Sequence, residues 1–290
     1  MTAFYYFLRS VTKPAYRIRG IGLGRLCELV RRWAARHAPQ QPLQIDDFRG
    51  RARFNCFLRE HMGGQIFFRG SYSGEQLTLL ETLLTVDGVF LDVGANQGEF
   101  SIAAAGIVRQ GKVIAFEPVT EYRARLHENI RLNSYTNIQV VPAALGEHSG
   151  SLPIYDRQEL FEDGTRNEGL PSLFLSGSRP QVREVVSVRT LDDVLSEMGM
   201  SRVDLIKLDI EGAEWMALRG ATKSLTRWRP TLILEIGAET CRAAGYEPQA
   251  LAEWIAGLNY RIEKITEDGN TVPIGADELG NFQNIVAYPI

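Results

Sequence analysis

The most constraining feature of this chain is an apolar run that ends in an acid and a glycine-spaced turn, VFLDVGANQG, at residues 89–98. A helix-like pattern follows directly, so the segment predicts a strand, a tight turn and a helix. Glycines in such a turn let ligand atoms approach bare backbone, which is how nucleotide-like cofactors are held. A second acid, Glu117, ends the next apolar run. Its carboxylate suits a ribose diol, because it accepts hydrogen bonds and donates none, so the two acids together indicate an adenosine-bearing cofactor.

The spacing of the glycines discriminates among such cofactors. The turn is GxNxG, from Gly94 to Gly98, and both the dinucleotide fingerprint GxGxxG and the P-loop GxxxxGK[ST] are absent. Glu99, in the first turn of the helix, would repel a diphosphate, whereas S-adenosylmethionine carries adenosine without phosphate. We expect its amino-acid end over this turn and its ribose against Glu117. Asp92 would lie beneath the turn, where it holds the loop amides or meets the ligand's ammonium through water.

From residue 88 onward, apolar strands alternate with helical patterns, which predicts a parallel sheet. The predicted strands are 89–93, 112–117, 138–141, 203–209, 231–236, 260–262 and 284–288, and the predicted helices are 74–84, 99–109, 120–133, 190–198 and 247–258. A polar, glycine-rich insert at 146–185 contains alternating segments that predict added β structure. Acceptor specificity is expected in this insert, with Arg166, Asn167 and Ser172 as candidate contacts.

Residues 1–70 differ from the rest of the chain in charge. They carry 13 Lys and Arg against 4 Asp and Glu, whereas residues 71–290 carry 19 against 31. Their pattern is helical to residue 37, and it then predicts a hairpin of residues 53–58 and 65–68 around Gly63 and Gly64. Two interpretations stay open: the basic segment packs on its own acidic domain, or it attracts an anionic partner such as membrane lipid, a phosphorylated sugar carrier or RNA. Peripheral membrane contact would use Phe4, Tyr5, Tyr6 and Phe7.

A second group of acids follows a later strand, in the segment KLDIEGAE at 207–214. The carboxyl ends of the strands in an open α/β sheet form its ligand-binding edge, where we expect four acids, Asp92, Glu117, Asp209 and Glu235. A carboxylate among Asp209, Glu211 and Glu214 would serve as the general base for an acceptor hydroxyl. Alternatively, Asp209 with Glu235 would bind a divalent cation that acidifies this hydroxyl, or Glu211 and Glu214 only cap the next helix.

These motifs together resemble the FkbM-type methyltransferases. The resemblance covers about residues 71–290 and rests on GE at 74–75, LDVGANQG at 91–98, FEP at 116–118, ALG at 144–146, SL at 172–173, KLDIEGAE at 207–214 and Asn284. It implies an α/β, Rossmann-like class I methyltransferase fold: a mostly parallel seven-stranded sheet with an antiparallel last strand and a β-rich insert. The basic segment 1–70 lies outside it, as an extension with a helix and a hairpin.

The resemblance also implies an activity, and cofactor contacts through Asp92, Gly94, Asn96, Glu117 and the turn at 143–145. The other expected site residues come from the sequence patterns described above. The activity is O-methylation with S-adenosylmethionine, on a hydroxyl of a sugar, a glycan or a natural-product small molecule. The expected catalytic residues are Asp209, Glu211 and Glu214. The expected cofactor contacts are Glu75, Asp92, Gly94, Ala95, Asn96, Gly98, Glu117, Pro118, Ala143, Ala144, Leu145 and Asp209. The only candidate metal ligands are Asp209 and Glu235.

Several other features narrow the function classes. The three cysteines and four histidines have no metal-ligand or disulfide spacing, which favours a reducing, cytoplasmic compartment. His148, in a turn near the predicted site, is an alternative base. No apolar window approaches the roughly 20 residues of a membrane-spanning helix, and no basic-aromatic stripe indicates nucleic acid. We expect a small-molecule, glycan or lipid-linked acceptor; an RNA acceptor, a nicotinamide oxidoreductase and a non-catalytic cofactor-binding protein are less favoured.

Overall fold

A computed structural model describes residues 2–17, 23–156, 171–174 and 181–290. The predicted contacts Arg166 and Asn167 lie outside these ranges. The helices are α1 (Thr2–Arg17), α2 (Leu23–His37), α3 (His61–Arg69), α4 (Gly74–Leu83), α5 (Glu99–Ala105), α6 (Thr120–Asn133), α7 (Leu191–Glu197), α8 (Glu214–Arg219), α9 (Thr222–Trp228), α10 (Ala238–Ala243) and α11 (Pro248–Gly257), and a 3-10 turn spans Ala276–Glu278.

The strands form three sheets. They are β1 (Leu43–Phe48), β2 (Ala52–Cys56), β3 (Val89–Val93), β4 (Lys112–Phe116), β5 (Ile138–Val141), β6 (Ala144–Leu145), β7 (Gly150–Asp156), β8 (Gln181–Arg189), β9 (Leu205–Leu208), β10 (Thr231–Gly237), β11 (Tyr260–Ile265), β12 (Thr271–Pro273) and β13 (Phe282–Pro289). The central sheet has the order β12-β11-β13-β10-β9-β3-β4-β5. β1 pairs with β2, and β6, β8 and β7 form the third sheet.

The central sheet confirms the predicted fold class. Strands β5, β4, β3, β9 and β10 run parallel, and β13 lies antiparallel between β10 and β11. The inner strands are apolar almost throughout, because helices and core side chains cover both faces of the sheet. The sheet has one strand more than the predicted seven, since β12 adds a short antiparallel edge to β11.

The register of the inner strands determines where the functional residues lie. Val93 pairs with Phe116 of β4 and with Leu208 of β9. β3, β4 and β9 therefore end at the same level, and the residues just after them meet at one edge of the sheet. Asp92, Glu117 and Asp209 reach this edge, as the sequence predicts.

The predicted hairpin around Gly63 and Gly64 was wrong. The hairpin consists of β1 and β2, joined at residues 49–51, and residues 61–69 form helix α3. A continuous buried run such as 65–68 does not distinguish a core helix from a strand. The glycines allow close packing, since a Cβ on Gly63 would lie 2.3 Å from the carbonyl oxygen of Phe57.

The first 70 residues share a hydrophobic core with the central sheet. Phe54 and Phe67 belong to the same buried cluster as Phe90 and Phe100, on the face of the sheet covered by α4 and α5. Much of the basic excess is paired within the chain: Arg9 and Lys13 contact Asp47, Arg31 and Arg32 contact Glu28, and Arg49 and Arg51 contact Glu81. These pairs agree with the packing interpretation of the basic segment.

The insert contains the predicted β structure. β7 and β8 pair antiparallel from Gly150 opposite Val188 to Asp156 opposite Gln181, and β6 pairs parallel to β8. Cys27, Cys56 and Cys241 are free and buried. In the described part of the chain, no helix has both the length and the apolar character needed to cross a bilayer.

Candidate active site

A deep pocket opens at the carboxyl ends of β3, β4 and β9. It encloses about 1110 Å3 when the solvent at its open mouth is included. Several separate parts of the chain line it: residues 60–62 and 72–73, the turn after β3, the ends of β4 and β5, the insert, and the segment after β9. The pocket is therefore open to solvent and gives ligands access to the turn after β3.

The turn between β3 and α5 forms the base of the pocket. Gly94, Asn96 and Gly98 have φ angles of 81°, 49° and 95°. A Cβ on Gly94 would lie 2.1 Å from the carbonyl oxygen of Asp209, so only glycine fits there. The amides of Gly94 and Ala95 donate to the carbonyl oxygen of Phe116 at 3.1 and 3.0 Å. The end of β4 therefore holds the loop amides, and not Asp92 as one of our hypotheses assumed.

Glu117 lies in the pocket wall directly after β4. Its carboxylate accepts hydrogen bonds from the amides of Asn96 and Val119, both at 2.7 Å. Burial raises the pKa of Glu117 to about 7, against the effect of these two amides. A carboxylate has about four lone-pair sites, so two remain for ligand hydroxyls. This is the arrangement that a ribose diol requires.

The pocket brings together most of the predicted cofactor contacts. Eight of them line it: Gly94, Asn96, Glu117, Pro118, Ala143, Ala144, Leu145 and Asp209. Val119, Ile154 and Leu173 complete an apolar wall beside Glu117, which suits the faces of a purine. The other four, Glu75, Asp92, Ala95 and Gly98, do not line the pocket. Glu75 instead accepts a hydrogen bond from the Asn284 amide at 3.2 Å, and Ala95 and Gly98 pack against Leu126.

Asp92 is completely buried beneath the turn, where it is paired with a lysine. Its Oδ2 accepts from the Ser101 hydroxyl at 2.6 Å, and its Oδ1 lies 3.8 Å from Nζ of Lys207. The same Nζ lies 3.4 Å from Oδ2 of Asp209, and it donates to the carbonyl oxygen of Gly94 at 3.4 Å. Burial acts to lower the pKa of Lys207, but Asp209, Asp92 and Glu235 raise it overall. The lysine is therefore charged and links the turn to the end of β9.

Lys207 lines the pocket although it is not among the residues predicted from the sequence. Its neighbours Leu205, Ile206 and Leu208 form a buried apolar strand. A lysine inside such a strand is almost never fully buried unless it is paired. A lysine at this position therefore signals a nearby acid. In the structure its side chain is only 3% exposed, and it forms ion pairs with Asp92 and Asp209.

Three carboxylates of the predicted edge lie close together. One oxygen each from Asp209, Glu211 and Glu235 falls within 4.8 Å of the others. Burial, together with the charges of Asp209 and Glu211, raises the pKa of Glu235 well above that of an ordinary carboxyl group. Asp209 and Glu211 line the pocket, whereas Glu235 lies behind them. The proximity of Asp209 and Glu235 agrees with the cation hypothesis, but a bound cation stays a prediction.

The structure separates Glu214 from the other two predicted catalytic residues. Glu214 is buried and does not line the pocket. Its Oε1 accepts from the amide of Ile210 at 2.9 Å, and its Oε2 accepts from the Tyr246 hydroxyl at 3.3 Å. It therefore holds the turn that carries Asp209 and Glu211, and we no longer assign it a direct part in the chemistry.

The burial of Glu214 predicts a pH-dependent stability. Burial raises its pKa from the ordinary 4.5 to about 7. Between these two values the unfolded chain releases the proton and the folded chain keeps it, so stability should fall as pH rises through this window. For one group the change is on the order of 3 kcal/mol. Urea unfolding at several pH values measures it in the wild type and in Glu214→Gln, which has no proton to lose.

The variant should therefore show a shallower decrease, and it should be at least as stable as the wild type at a pH of about 8. Glu253→Gln, on the exposed face of α11, is the matched control and should keep the wild-type slope. Identical slopes in the wild type and in Glu214→Gln would contradict this assignment.

Two further segments contribute to the pocket without any sequence signal that we could find. Contrary to our expectation, Glu99 does not line the cavity and is not placed to repel a diphosphate there. Its carboxylate accepts hydrogen bonds from the amides of Tyr72 at 2.6 Å and of Ser73 at 3.2 Å, which holds the loop at residues 72–73 in the pocket wall. From the N-terminal segment, Glu60, His61 and Met62 also line the pocket. Glu60 is held by Arg125 at 2.8 Å and by Gln97 at 3.0 Å. The basic segment is therefore part of the site.

The residues of the insert that the structure describes contribute mainly apolar surface to the pocket. Pro171 and Leu173 line the pocket, whereas the hydroxyl of Ser172 between them donates to the carbonyl oxygen of Glu211 at 2.9 Å. The Ser172 hydroxyl therefore binds the backbone at Glu211 and does not line the pocket as an acceptor contact. His148, the alternative base, is exposed and does not line the pocket.

Comparison with known proteins identifies the family. The model of the FkbM methyltransferase domain matches residues 92–262, which is more than half of the chain. The chain belongs to the FkbM methyltransferase family. The match includes the turn after β3, Glu117 and the whole segment after β9. The FkbM domain therefore contributes all the described pocket residues from Val93 to Ala213. Residues 60–62 and 72–73 lie before the matched region.

The chain is also similar to two individual methyltransferases and to one solved structure. The methyltransferase sdnD of Sordaria araneosa is 28% identical over 184 residues, which cover 55% of this chain and 68% of the relative. The 2-O-methyltransferase NoeI of Sinorhizobium fredii is 27% identical over 157 residues, covering 49% and 61%. The structure of a methyltransferase FkbM from Methylobacillus flagellatus gives a TM-score of 0.47 at 18% identity, covering 71% of this chain and 44% of that one.

Proposed function

We propose that this protein is an S-adenosylmethionine-dependent O-methyltransferase that acts on a hydroxyl of a sugar, a glycan or another small molecule. One observation carries the proposal: a single pocket contains the glycine turn, the Glu117 carboxylate and the Asp209 carboxylate. The first two are suited to an adenosine ligand, and the third is suited to an acceptor hydroxyl. In S-adenosylmethionine the sulfonium is the activated donor of the methyl group.

The residues of the pocket fit this cofactor. Glu117 has acceptor sites left for the ribose hydroxyls, and Pro118, Ala144 and Leu145 offer apolar surface to the adenine. Gly94 exposes backbone at the base of the pocket, where the amino-acid end would lie. Asp209 and Glu211 add negative charge near the sulfonium, which carries a positive charge.

Asp209 is the residue that we assign to the acceptor. Its carboxylate is 22% exposed and lies at the pocket wall, and Lys207 fixes it from behind at 3.4 Å. A carboxylate in this position takes the proton of the acceptor hydroxyl as the oxygen is methylated. The remaining work is alignment: the pocket walls hold the two molecules in line and exclude water. Glu211 lines the same wall and orients the acceptor.

Two further observations bear on the class of acceptor. The relative NoeI is a 2-O-methyltransferase, which supports a hydroxyl acceptor. An RNA acceptor is not favoured, because Arg9, Lys13, Arg49 and Arg51 form ion pairs with carboxylates of the chain itself.

Replacing Glu117 with Ala is expected to weaken cofactor binding by about 1–3 kcal/mol, since charged hydrogen bonds to the ribose are lost. Isothermal titration with S-adenosylhomocysteine measures the change. Glu128→Ala, an exposed acid on the neighbouring helix α6, is the matched control and should bind like the wild type. Equal affinity in Glu117→Ala and the control would remove Glu117 from the cofactor site.

A panel of acceptors tests the activity itself. The protein is incubated with S-adenosylmethionine and with hydroxyl-bearing sugars, glycans and phenols, and with amine-bearing and RNA acceptors for comparison. We expect S-adenosylhomocysteine to form together with a product whose oxygen carries one added methyl group, and a chelator added in parallel tests the cation hypothesis. Methylation of amines or RNA alone would contradict the proposed acceptor class.

A further inference from the structure

The N-terminal helices carry a stripe of exposed apolar side chains on their outer surface. Its members are between 43% and 62% exposed and recur at intervals of three and four residues along each helix: Phe4, Phe7 and Val11 on α1, and Leu26, Leu29 and Trp33 on α2. The rings of Phe4 and Trp33 meet edge to face, 5.8 Å between centroids, and join the two rows. We call these six side chains the outer stripe. A contiguous apolar surface of this kind marks an interaction site on a folded protein.

The outer stripe is not needed to hold the helices in place. The inner faces of α1 and α2 already have partners: Tyr5 and Ala34 are buried in the shared core, and Arg9 and Lys13 pair with Asp47. The sequence predicted membrane contact through residues 4–7. Of these, Tyr5 faces inward, and the hydroxyl of Tyr6 donates to the carbonyl oxygen of Gln44 at 2.6 Å. Phe4 and Phe7 remain on the outer surface.

Arginines follow one edge of the outer stripe. Arg25 and Arg36 are exposed, and neither forms an ion pair with a carboxylate of the described residues. Arg32 lies on the same edge and contacts Glu28 at 3.5 Å. The spacing of these arginines places them beside Leu26, Leu29 and Trp33 on α2. The sequence of α1 contains no acidic residue.

We propose that the outer stripe docks the protein on a membrane surface with anionic headgroups. Apolar side chains of an amphipathic helix enter the boundary between headgroups and acyl chains, while neighbouring arginines reach the phosphates. The other conceivable occupant is a second copy of this chain. A second copy would present the same apolar side chains and the same arginines, so it offers no acidic row that complements Arg25 and Arg36. Charge complementarity therefore favours the lipid surface.

Co-sedimentation of the full-length protein with vesicles tests this proposal. The vesicles consist of phosphatidylcholine alone or of phosphatidylcholine mixed with phosphatidylglycerol. We expect binding to the mixed vesicles, at least about tenfold weaker binding in Phe7→Ser with Leu29→Ser, and loss of the preference for phosphatidylglycerol in Arg25→Gln with Arg36→Gln. Val182→Ser with Val185→Ser, an equally exposed apolar pair on β8, is the matched control and should bind like the wild type.

All these side chains are exposed, so the variants should keep the wild-type melting temperature, and the readout does not depend on methyl transfer. Wild-type protein that binds neither kind of vesicle would overturn the proposal. So would equal binding by the wild type and by Phe7→Ser with Leu29→Ser. A dimer in light scattering that this apolar variant converts to a monomer would assign the stripe to a second copy instead.

Discussion

Replacing Asp209 with Asn is expected to lower the rate of methyl transfer about 100- to 10,000-fold, which is the contribution of a positioned general base. Asparagine keeps the size and one carbonyl oxygen of the side chain, but it cannot take a proton from the acceptor. Cofactor affinity should change little, because Glu117 and the turn at residues 94–98 are untouched. Turnover under saturating acceptor and titration with S-adenosylhomocysteine measure the two effects separately.

The matched control for this prediction is Asp87→Asn. Asp87 is an exposed acid before β3, away from the pocket, where its charge pairs with Arg202 at 2.9 Å. The control should retain wild-type turnover. If Asp209→Asn also retained it, the carboxylate would have no part in the chemistry, and the base would have to be sought elsewhere on the pocket wall, first at Glu211.

Replacing Lys207 with Met is expected to destabilise the fold by about 3–5 kcal/mol, since breaking a buried ion pair leaves an uncompensated charge. Asp92 would keep the Ser101 hydroxyl as its hydrogen-bond donor while remaining completely buried. The charged lysine also donates to the carbonyl oxygen of Gly94, so its loss should loosen the cofactor turn. Urea denaturation gives the free energy of unfolding.

A second variant separates the loss of the charge pair from the loss of packing. In Lys207→Met with Asp92→Asn, no buried carboxylate remains unpaired at this position, and most of the lost stability should return. A change of less than about 1 kcal/mol in the single variant would be typical of an exposed ion pair and would contradict the structural role given to Lys207. Nζ of Lys207 also lies 4.7 Å from the centre of the Phe100 ring, so failure of the double variant to recover stability would assign the loss to this contact.

The strand-turn-helix at residues 89–105 could be predicted because local rules determine it. The apolar run, the two glycines and the following helix pattern all favour the same structure, and the register of parallel strands then brings Asp92, Glu117 and Asp209 to one edge. Helix α3 could not be predicted in this way. Its buried apolar run shows neither the helical nor the strand periodicity of polar and apolar residues. Gly63 is required by close packing against the backbone of Phe57, which only the tertiary structure shows.

The candidate site also contains some residues that could be predicted from the sequence and others that could not. The eight predicted contacts that do line the pocket lie at or shortly after the ends of strands, so their sequence position could locate them. Glu60 to Met62 and the loop at 72–73 come from a different part of the chain, and their approach depends on the packing of α3 and on Glu99. Glu214 was predicted as a catalytic residue because it follows Asp209 and Glu211 closely in sequence. The turn after β9 instead directs its side chain into the core.

We propose that the turn after β3 and Glu117 hold an adenosine cofactor without a diphosphate. Isothermal titration of the wild-type protein with S-adenosylhomocysteine and, separately, with NAD tests it most directly. The structure predicts saturable binding of S-adenosylhomocysteine and no heat from NAD, even at high concentration. Binding of NAD that S-adenosylhomocysteine fails to displace, or binding of NAD alone, would contradict the claim.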